Sequence, residues 1–232
     1  MASNRLAILL DIDETLVHYI PNERRAATWD SLTPEERAKY NTWEDQEIIP
    51  GIFLVRPHLE KFLGNLFSTY HVGIWTRASA SYAQVVLTRV ILPAIQAIIG
   101  YGVPVSYSCI LSADHADTAE ARAGFGKDLD WLWSSPFCPP EYNQTNTILI
   151  DDNPLNVYIQ RFGSDADLQS HPNMSNAMII HPFCPFGYGQ NDEYLDQSAD
   201  MELLGVISCL ATIQGVFYLM LEPESSASQI TT

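Results

Sequence analysis

The chain is poor in basic residues. It contains 12 Lys and Arg against 28 Asp and Glu, and its formal net charge at pH 7 is −16. Such an acidic surface repels the phosphates of a polyanion unless a local basic patch intervenes, so no direct binding of nucleic acid is expected. The acidic excess otherwise favours solubility, which is the commoner meaning of a charge imbalance.

Cysteine is scarce as well. The four cysteines are widely scattered, with no Cys-x-x-Cys pair and no cysteine–histidine spacing of the kind that a structural zinc site requires. Cys138 and Cys184 share a Phe-Cys-Pro context, but nothing else in the sequence supports a metal or a disulfide there. All four are therefore predicted to be reduced thiols: Cys109, Cys138, Cys184 and Cys209.

A long apolar run is also missing near the start of the chain. Only five consecutive apolar residues, Leu6–Leu10, lie before Asp11, and this run is too short for the apolar core of a signal peptide. We therefore expect an intracellular protein, nuclear or cytoplasmic.

One apolar stretch near the end, Leu203–Leu221, carries no charge and is just long enough to span a bilayer. Ser208, Thr212 and Gln214 dilute its hydrophobicity, and no adjacent lysine or arginine would anchor it in a membrane. These features favour a buried last helix, so membrane attachment is not expected, and a tail anchor stays the alternative.

Short apolar runs alternate with segments of helical spacing along the 232 residues. This alternation predicts a single α/β domain over residues 1–222, with a central parallel sheet between two helical layers, and a polar tail over 223–232. The predicted strands are Leu6–Leu10, Val72–Trp75, Ser108–Leu111, Thr147–Ile150 and Ala177–Ile180. The predicted helices are His58–Phe67 and Ser81–Ile99, the second with a break near Pro93.

Residues 18–50 depart from this alternation, and we predict that they form a small flap inserted after the first strand. Their middle part is polar, with a helix start at Thr33. Trp29, Tyr40 and Trp43 either pin the flap onto the domain or line a substrate groove. Packing is favoured, because large aromatic side chains usually serve to bury apolar area.

Acidic residues directly follow two of the predicted strands. Asp11 and Asp13 come after the first strand, and Asp151 and Asp152 come after the fourth. Ligands of an open α/β sheet bind at the carboxyl ends of its strands, so these four carboxylates are expected to converge. They would repel each other unless a cation lay among them, and an all-oxygen site suits Mg²⁺.

The charge balance of this site predicts a proton as well. Four carboxylates, one Mg²⁺ and one lysine leave a net negative charge, so one carboxyl is expected to be protonated. An ionised nucleophile beside a neutral general acid suits phosphoryl transfer through an aspartyl-phosphate. Either acidic pair alone is typical of a turn. The two pairs together, each directly after a predicted strand, indicate a functional site.

Five motifs carry a family resemblance. In chain order they are ILLDIDETLVH, VRPHLEKFL, GIWTRASASYAQ, GKDLDWL and ILIDDNP. Together they resemble the haloacid-dehalogenase (HAD) superfamily, and within it the branch of small C-terminal-domain (CTD) phosphatases and NLI-interacting-factor-like phosphatases. The resemblance runs from about Ala7 to Leu210 and implies a HAD-like, Rossmann-like three-layer fold.

The resemblance implies three roles at the metal. Asp11 corresponds to the nucleophile that attacks phosphorus and binds Mg²⁺ through its other oxygen. Asp13 corresponds to the general acid and base, with its backbone carbonyl on the metal. Asp152 lies where the family has its further metal-ligating Asp or Asn.

Other positions match the residues around the phosphoryl group. Thr76 and Lys127 correspond to the side chains that hold its oxygens. Asp151 is implied to orient Lys127 or a metal-bound water, and Thr15 is implied to brace the nucleophile loop. Arg77 stands where the family usually has a small residue, and it contacts phosphate or substrate or points to solvent.

The first hypothesis is therefore an Mg²⁺-dependent protein phosphoserine and phosphothreonine phosphatase, acting on a peptide like the CTD of RNA polymerase II. The alternatives are a phosphatase of a small metabolite or of a nucleic-acid end, and a catalytically inert binding scaffold. The flap shows no clear likeness to the strand-rich insertion that helps such phosphatases to select a peptide, which weakens the CTD assignment more than the catalytic one.

Overall fold

The structure is a computed structural model and describes residues 5–100, 105–116, 127–157, 176–186 and 196–221. The predicted tail over 223–232 lies outside these residues. The strands in the described part are β1 Ala7–Leu10, β2 Val17–Pro21, β3 Asn41–Asp45, β4 Gly51–Val55, β5 His71–Trp75, β6 Ile110–Leu111, β7 Thr147–Asp151 and β8 Ala177–Ile179. The α-helices there are α1 Asn22–Arg25, α2 Pro34–Arg37, α3 Leu59–Thr69, α4 Ala80–Val86, α5 Leu92–Ile99, α6 Leu129–Ser134, α7 Pro154–Val157 and α8 Glu202–Leu221.

Five strands form a parallel sheet in the order β6-β5-β1-β7-β8, which confirms the predicted α/β fold. The first strand lies at the centre of the sheet because it pairs with β5 on one side and β7 on the other. The third predicted strand is shorter than expected, since only Ile110 and Leu111 pair in register. Ser108 still donates its N–H to the carbonyl of Val72 at 2.8 Å.

The central strand is buried on both faces. Ile8 and Leu10 point into one apolar cluster, and Ala7 and Leu9 point into another, because successive side chains of a strand face opposite ways. A continuous apolar run of this kind is typical of a parallel strand covered by helices on both sides. The helix α3 covers the first cluster with the buried side chains of Leu59, Phe62, Leu63 and Leu66.

The flap is richer in strands than the sequence indicates. β2, β4 and β3 form a three-stranded antiparallel sheet in that order, and this sheet extends to Val55, beyond the predicted flap of residues 18–50. The sequence does not predict this sheet, because the residues of its edge strand β3 are mostly polar and exposed and show no apolar alternation. Trp29 and Tyr40 are buried in an apolar cluster that also contains Phe183 and Phe186 from the segment after β8, which confirms their packing use. The ring centroid of Trp43 lies 5.3 Å from that of Phe53, and the two rings are tilted.

The helical stretch from Ala80 to Ile99 contains no break at Pro93. Instead, a π-helical turn over Leu87–Ile91 joins α4 to α5, and the N–H of Leu92 donates to the carbonyl of Leu87. Proline cannot donate the next helical hydrogen bond, and the wider turn accommodates it without interrupting the helix. Of the helices in the described residues, the stretch Ala80–Ile98 is the one long and apolar enough to span a membrane, and it packs against α3 in the core.

The last helix, α8, is only partly buried, which corrects the prediction of a buried helix. One stripe packs on the domain through Leu203, Val206 and Leu210, while Ile213, Val216 and Tyr218 are exposed. A helix that is apolar all round can bury only one stripe against a single neighbour, here α3. Gln214 lies in that stripe and accepts the N–H of Leu6 at 3.2 Å, which ties the helix to the start of β1.

We predict opposite effects for two glycine substitutions. A Cβ on Gly73 would lie 2.7 Å from the Sγ of Cys109 and 2.8 Å from the hydroxyl of Tyr142, so Gly73→Ala is expected to lower the free energy of unfolding by about 1–3 kcal/mol. A Cβ on Gly205, within α8, meets nothing within 4 Å, so Gly205→Ala is expected to raise it by about 0.5–1 kcal/mol. Urea unfolding measures both, and equal effects of the two substitutions would contradict this packing.

Candidate active site

A tight loop after β1 presents two aspartates at the carboxyl end of the sheet. The N–H of Asp11 donates to the carbonyl of Ile150 at 3.0 Å, which continues the pairing with β7. Glu14 has a left-handed backbone (φ 58°), and its N–H donates to the carbonyl of Val17 at 2.8 Å. The left-handed residue reverses the chain within one turn, so that Asp11 and Asp13 both border the same cavity.

Arg56 fastens this loop from behind. Its guanidinium donates to the carbonyl of Thr15 at 3.0 Å and to that of His181 at 2.6 Å, and it pairs with Asp200 at 2.7 Å. The side chain is fully buried, and it lies 5.8 Å from the ring centroid of Phe183. Its planar fork thus joins the loop after β1, the segment after β8 and the segment before α8.

Lys127 lies between two aspartates. Its Nζ is 2.7 Å from Oδ1 of Asp11 and 2.6 Å from Oδ2 of Asp151, and the side chain is 1 % exposed. Burial opposes the ammonium form, but the charges of Asp11 and then Asp151 outweigh it and raise the pKa of Lys127. The lysine is therefore a permanent cation in contact with the predicted nucleophile.

Both oxygens of Asp151 are occupied by protein donors. Oδ2 takes Lys127, and Oδ1 accepts the N–H of Asn153 at 2.8 Å. The amide of Asn156 donates to Oδ1 at 3.0 Å and to Oδ2 at 3.2 Å. Of the two roles implied for Asp151, the hydrogen bonds agree with orienting Lys127.

Asp13 has one partner that the sequence did not single out. The hydroxyl of Tyr82, in α4, donates to its Oδ1. Burial raises the pKa of Asp13 from 3.8 to about 6, and the Tyr82 hydrogen bond opposes the rise. Asp13 therefore titrates close to neutral pH, as a proton carrier must.

Asp152 closes the acidic side of the site. Its Oδ1 accepts the hydroxyl of Thr15 at 3.1 Å, and one oxygen each of Asp11, Asp151 and Asp152 lie within 4.8 Å of one another. Burial, and then the charge of Asp151, raise the pKa of Asp152 from 3.8 to about 6. Burial also raises the pKa of Asp11 to about 7, with Lys127 opposing the rise and Asp151 adding to it. This set has more buried negative charge than one lysine can neutralise.

An open cavity of about 740 Å³ lies over these groups. Thr76 forms part of its wall, and the hydroxyl of Thr76 accepts the N–H of Ala78 at 3.0 Å. Arg77, an exposed side chain, also lines the cavity and donates to Oδ1 of Asn156 at 3.3 Å. The complete lining is Asp11, Asp13, Glu14, Thr76, Arg77, Asp152, Asn153, Pro154, Asn156 and Pro182.

The donor set fits a hard divalent cation. Its side-chain donors, Asp11 and Asp152, are carboxylates that border the cavity, and their pKa values are raised by burial first and then by the charge of Asp151. Carboxylate oxygens are the ligands that Mg²⁺ prefers, and a cation there would lower both pKa values again.

Sequence reasoning missed Tyr82 and Asn156 and left Arg56 without a role. Arg56 belongs to the Arg-Pro motif and Asn156 follows the Asp-Asp pair closely, so the sequence carries a signal for both. It carries none for Tyr82, because only the packing of α4 against the loop after β1 brings Tyr82 to Asp13. All eight predicted site residues lie in or directly behind the cavity: Asp11, Asp13, Thr15, Thr76, Arg77, Lys127, Asp151 and Asp152.

A five-stranded parallel sheet, an antiparallel flap after its central strand, and aspartates at the ends of β1 and β7 place the chain in the HAD-like class of α/β proteins. The family can be stated more narrowly. Residues 6–217 match the NLI interacting factor-like phosphatases, and the chain belongs to that family.

Relatives of known sequence and structure agree with this assignment. The CTD phosphatase-like protein 355R of Invertebrate iridescent virus 6 is 32 % identical over 148 residues, which cover 62 % of this chain and 75 % of that protein. Fission yeast RNA polymerase II CTD phosphatase Fcp1, as the R271A variant bound to beryllium fluoride, superposes with a TM-score of 0.56 at 15 % identity. A second Fcp1 structure superposes with a TM-score of 0.55 at 16 % identity. In both cases the match covers 94 % of this chain and 64 % of the Fcp1 chain. At this identity the two structures support the fold alone.

The metal-free protein is predicted to lose stability as the pH rises towards neutral. Asp11, Asp13 and Asp152 have raised pKa values, so the folded state binds more protons than the unfolded state between pH 3.8 and about 7. The free energy of unfolding therefore falls with rising pH in this window, and each proton contributes at most about 1.4 kcal/mol per pH unit. Asp152→Asn keeps the shape of the side chain but removes its titration, so the slope of the free energy of unfolding against pH should be smaller in this variant. Urea unfolding with a chelator present measures it, and an unchanged slope would contradict the raised pKa of Asp152.

Proposed function

We propose that the protein is an Mg²⁺-dependent phosphatase of phosphoserine and phosphothreonine in a peptide, and that it acts through a phosphorylated Asp11. The observation that carries the proposal is the placement of Asp11. Its carboxylate borders an open cavity, has the buried Lys127 ammonium at 2.7 Å, and shares a loop with Asp13, whose pKa is raised to about 6.

In the proposed mechanism Asp11 attacks phosphorus and forms an aspartyl-phosphate. Lys127 and the hydroxyl of Thr76 hold the phosphoryl oxygens, and Arg77 reaches the same cavity from its rim. Asp13 donates its proton to the departing seryl oxygen and then removes a proton from the water that hydrolyses the intermediate.

The remaining groups keep these side chains in place. Asp151 and Asn156 fix the position of Lys127, Thr15 holds Asp152, and Tyr82 holds Asp13. Side chains of Asp11 and Asp152 and the backbone carbonyl of Asp13 are proposed to bind Mg²⁺. When bound, the ion would favour ionised Asp11 and oppose the negative charge of the phosphoryl group.

A peptide substrate is favoured over a small one by the shape of the site. The cavity of about 740 Å³ is open, and none of the residues that line it belongs to the flap strands β2, β3 and β4. The viral relative is named a CTD phosphatase-like protein and Fcp1 is named a CTD phosphatase, which makes a CTD-like phosphopeptide the first substrate to test.

The test is phosphate release by the purified protein from phosphoserine and phosphothreonine peptides, with Mg²⁺ and with a chelator. Parallel assays use sugar phosphates, mononucleotides and 5′-phosphorylated oligonucleotides. We expect release from the peptides that the chelator abolishes, and a loss of roughly 10³-fold or more in Asp11→Asn. Asp196→Asn, an exposed aspartate paired with Lys39, is the matched control and should keep full activity.

The outcomes separate the alternatives. Strong activity on sugar phosphates or nucleic-acid ends with none on peptides would overturn the peptide assignment and keep the chemistry. Full activity of Asp11→Asn would overturn the nucleophile. Binding of a phosphopeptide without any turnover would leave the inert scaffold as the function.

Tyr82→Phe tests the proton-transfer role of Asp13. Without the hydroxyl, the hydrogen bond that favours ionised Asp13 is lost, so the pKa of Asp13 rises. The high-pH limb of kcat/KM, which requires the protonated acid, should then move to higher pH. The loss in kcat/KM should stay well below the roughly 10²–10⁴-fold expected for Asp13→Asn. A pH profile identical to that of the wild type would rule out a functional link between Tyr82 and Asp13.

A further inference from the structure

A second group of metal-ligating side chains lies beside the carboxylate cluster. Glu14, His18 and Cys184 each offer one ligand atom, and the three atoms lie within 4.8 Å of one another. We propose that these three side chains bind a single Zn²⁺, or a similar thiophilic divalent ion, at a site separate from that of Mg²⁺.

Two distant parts of the chain build this group. The left-handed backbone at Glu14 turns the chain into β2, and Nδ1 of His18 then lies 2.7 Å from Oε2 of Glu14. The N–H of Phe183 donates to the carbonyl of Glu14 at 2.7 Å, which fixes the next residue, Cys184, against the same loop. Because one ligand comes from the segment after β8, the spacing in the sequence does not reveal the site.

The donor types separate the two sites chemically. A thiolate and an imidazole favour Zn²⁺ over Mg²⁺, whereas the carboxylates of Asp11 and Asp152 favour Mg²⁺. The charges also balance, because ionised Glu14 and a Cys184 thiolate together neutralise one divalent ion with His18 neutral. His18 and Cys184 are each 4 % exposed, so a neutral site is required by their burial.

The proposed Zn²⁺ site is accessible from the solvent, and its three protein ligands leave one coordination position open. Glu14 is half-buried and lines the open cavity, so an ion can reach the group from the solvent. Three protein ligands leave the fourth tetrahedral position of Zn²⁺ for a water. Binding must release the thiol proton and replace the hydrogen bond between His18 and Glu14, so affinity should rise with pH.

Occupancy should also slow the phosphatase. Glu14 directly follows Asp13, and its carboxylate would move from His18 towards the ion, which shifts the loop that carries the general acid. This consequence rests on the proposed function. Binding of the metal ion does not depend on the proposed function, so metal affinity is the quantity to measure.

The experiment is titration of the full chain with Co²⁺, a spectroscopic substitute for Zn²⁺, in a large excess of Mg²⁺. A cysteine thiolate on Co²⁺ gives a charge-transfer absorption that a carboxylate site cannot give. We expect one equivalent of this absorption, its removal by Zn²⁺, its loss in Cys184→Ser, and an affinity lowered by roughly 10–100-fold or more in His18→Gln. Cys209→Ser, at the exposed cysteine of α8, is the matched control and should behave as the wild type.

Two further variants make the result decisive. Asp152→Asn should keep the absorption, because the Mg²⁺ ligands are not used, and this outcome is independent of any phosphatase activity. Cys184→Ala repeats the test in case the serine perturbs the buried position, with circular dichroism to confirm folding. Three results would overturn the proposed site. The wild type could show no absorption, both Cys184 variants could show the same absorption as the wild type, or the absorption could be lost only in Asp152→Asn.

Discussion

The contact of the Lys127 ammonium with Asp11 and Asp151 is the interaction on which the site depends. A charged group that is 1 % exposed is stable only if the surrounding charges and hydrogen bonds replace its lost hydration, and here two carboxylates do so at 2.7 and 2.6 Å. Asp151 is in turn held by Asn156 and by the N–H of Asn153, so the sheet, the loop after β7 and the lysine form one connected network. The network leaves Asp11 and Asp152 facing the cavity with their negative charge only partly neutralised, which favours the binding of a cation there.

The flap is connected to the chemistry through one aromatic residue. Tyr82 donates to Asp13, and its ring lies 6.1 Å from Phe53 and 6.0 Å from Tyr19, both on flap strands. The flap strands therefore contact the side chain that hydrogen-bonds to the proposed proton carrier. This arrangement gives a substrate that contacts the flap a physical route to Asp13, over a distance of a single side chain.

Much of this could be predicted from the sequence, for identifiable reasons. Strand-end aspartates are local features of an apolar run followed by an acid, so Asp11, Asp13, Asp151 and Asp152 were placed at one sheet edge by topology alone, and the five parallel strands followed from alternation. Lys127 needed the family motif, because a lone lysine has no pattern of its own. The strands of the flap could not be predicted, because β3 is polar and exposed. The exposed face of α8 could not be predicted either, because an apolar composition does not show which stripe of a helix is covered. Tertiary packing brings Tyr82 to Asp13 and Cys184 to Glu14 and His18, and no spacing along the chain encodes either contact.

The central position of β1 has a consequence for how the protein acquires its activity. Asp11, Thr76 and Asp152 follow three strands that are adjacent in the sheet but far apart along the chain, and Lys127 joins them from a fourth segment. Closing these long loops is the slow part of folding a parallel sheet, because chain entropy is lost before the contacts form. Until β1, β5 and β7 are paired, the aspartates remain ordinary solvated acids with no lysine beside them. Turnover would therefore begin only when these three strands have paired, and a chain still being synthesised would be inactive until its Asp151–Asp152 segment has emerged.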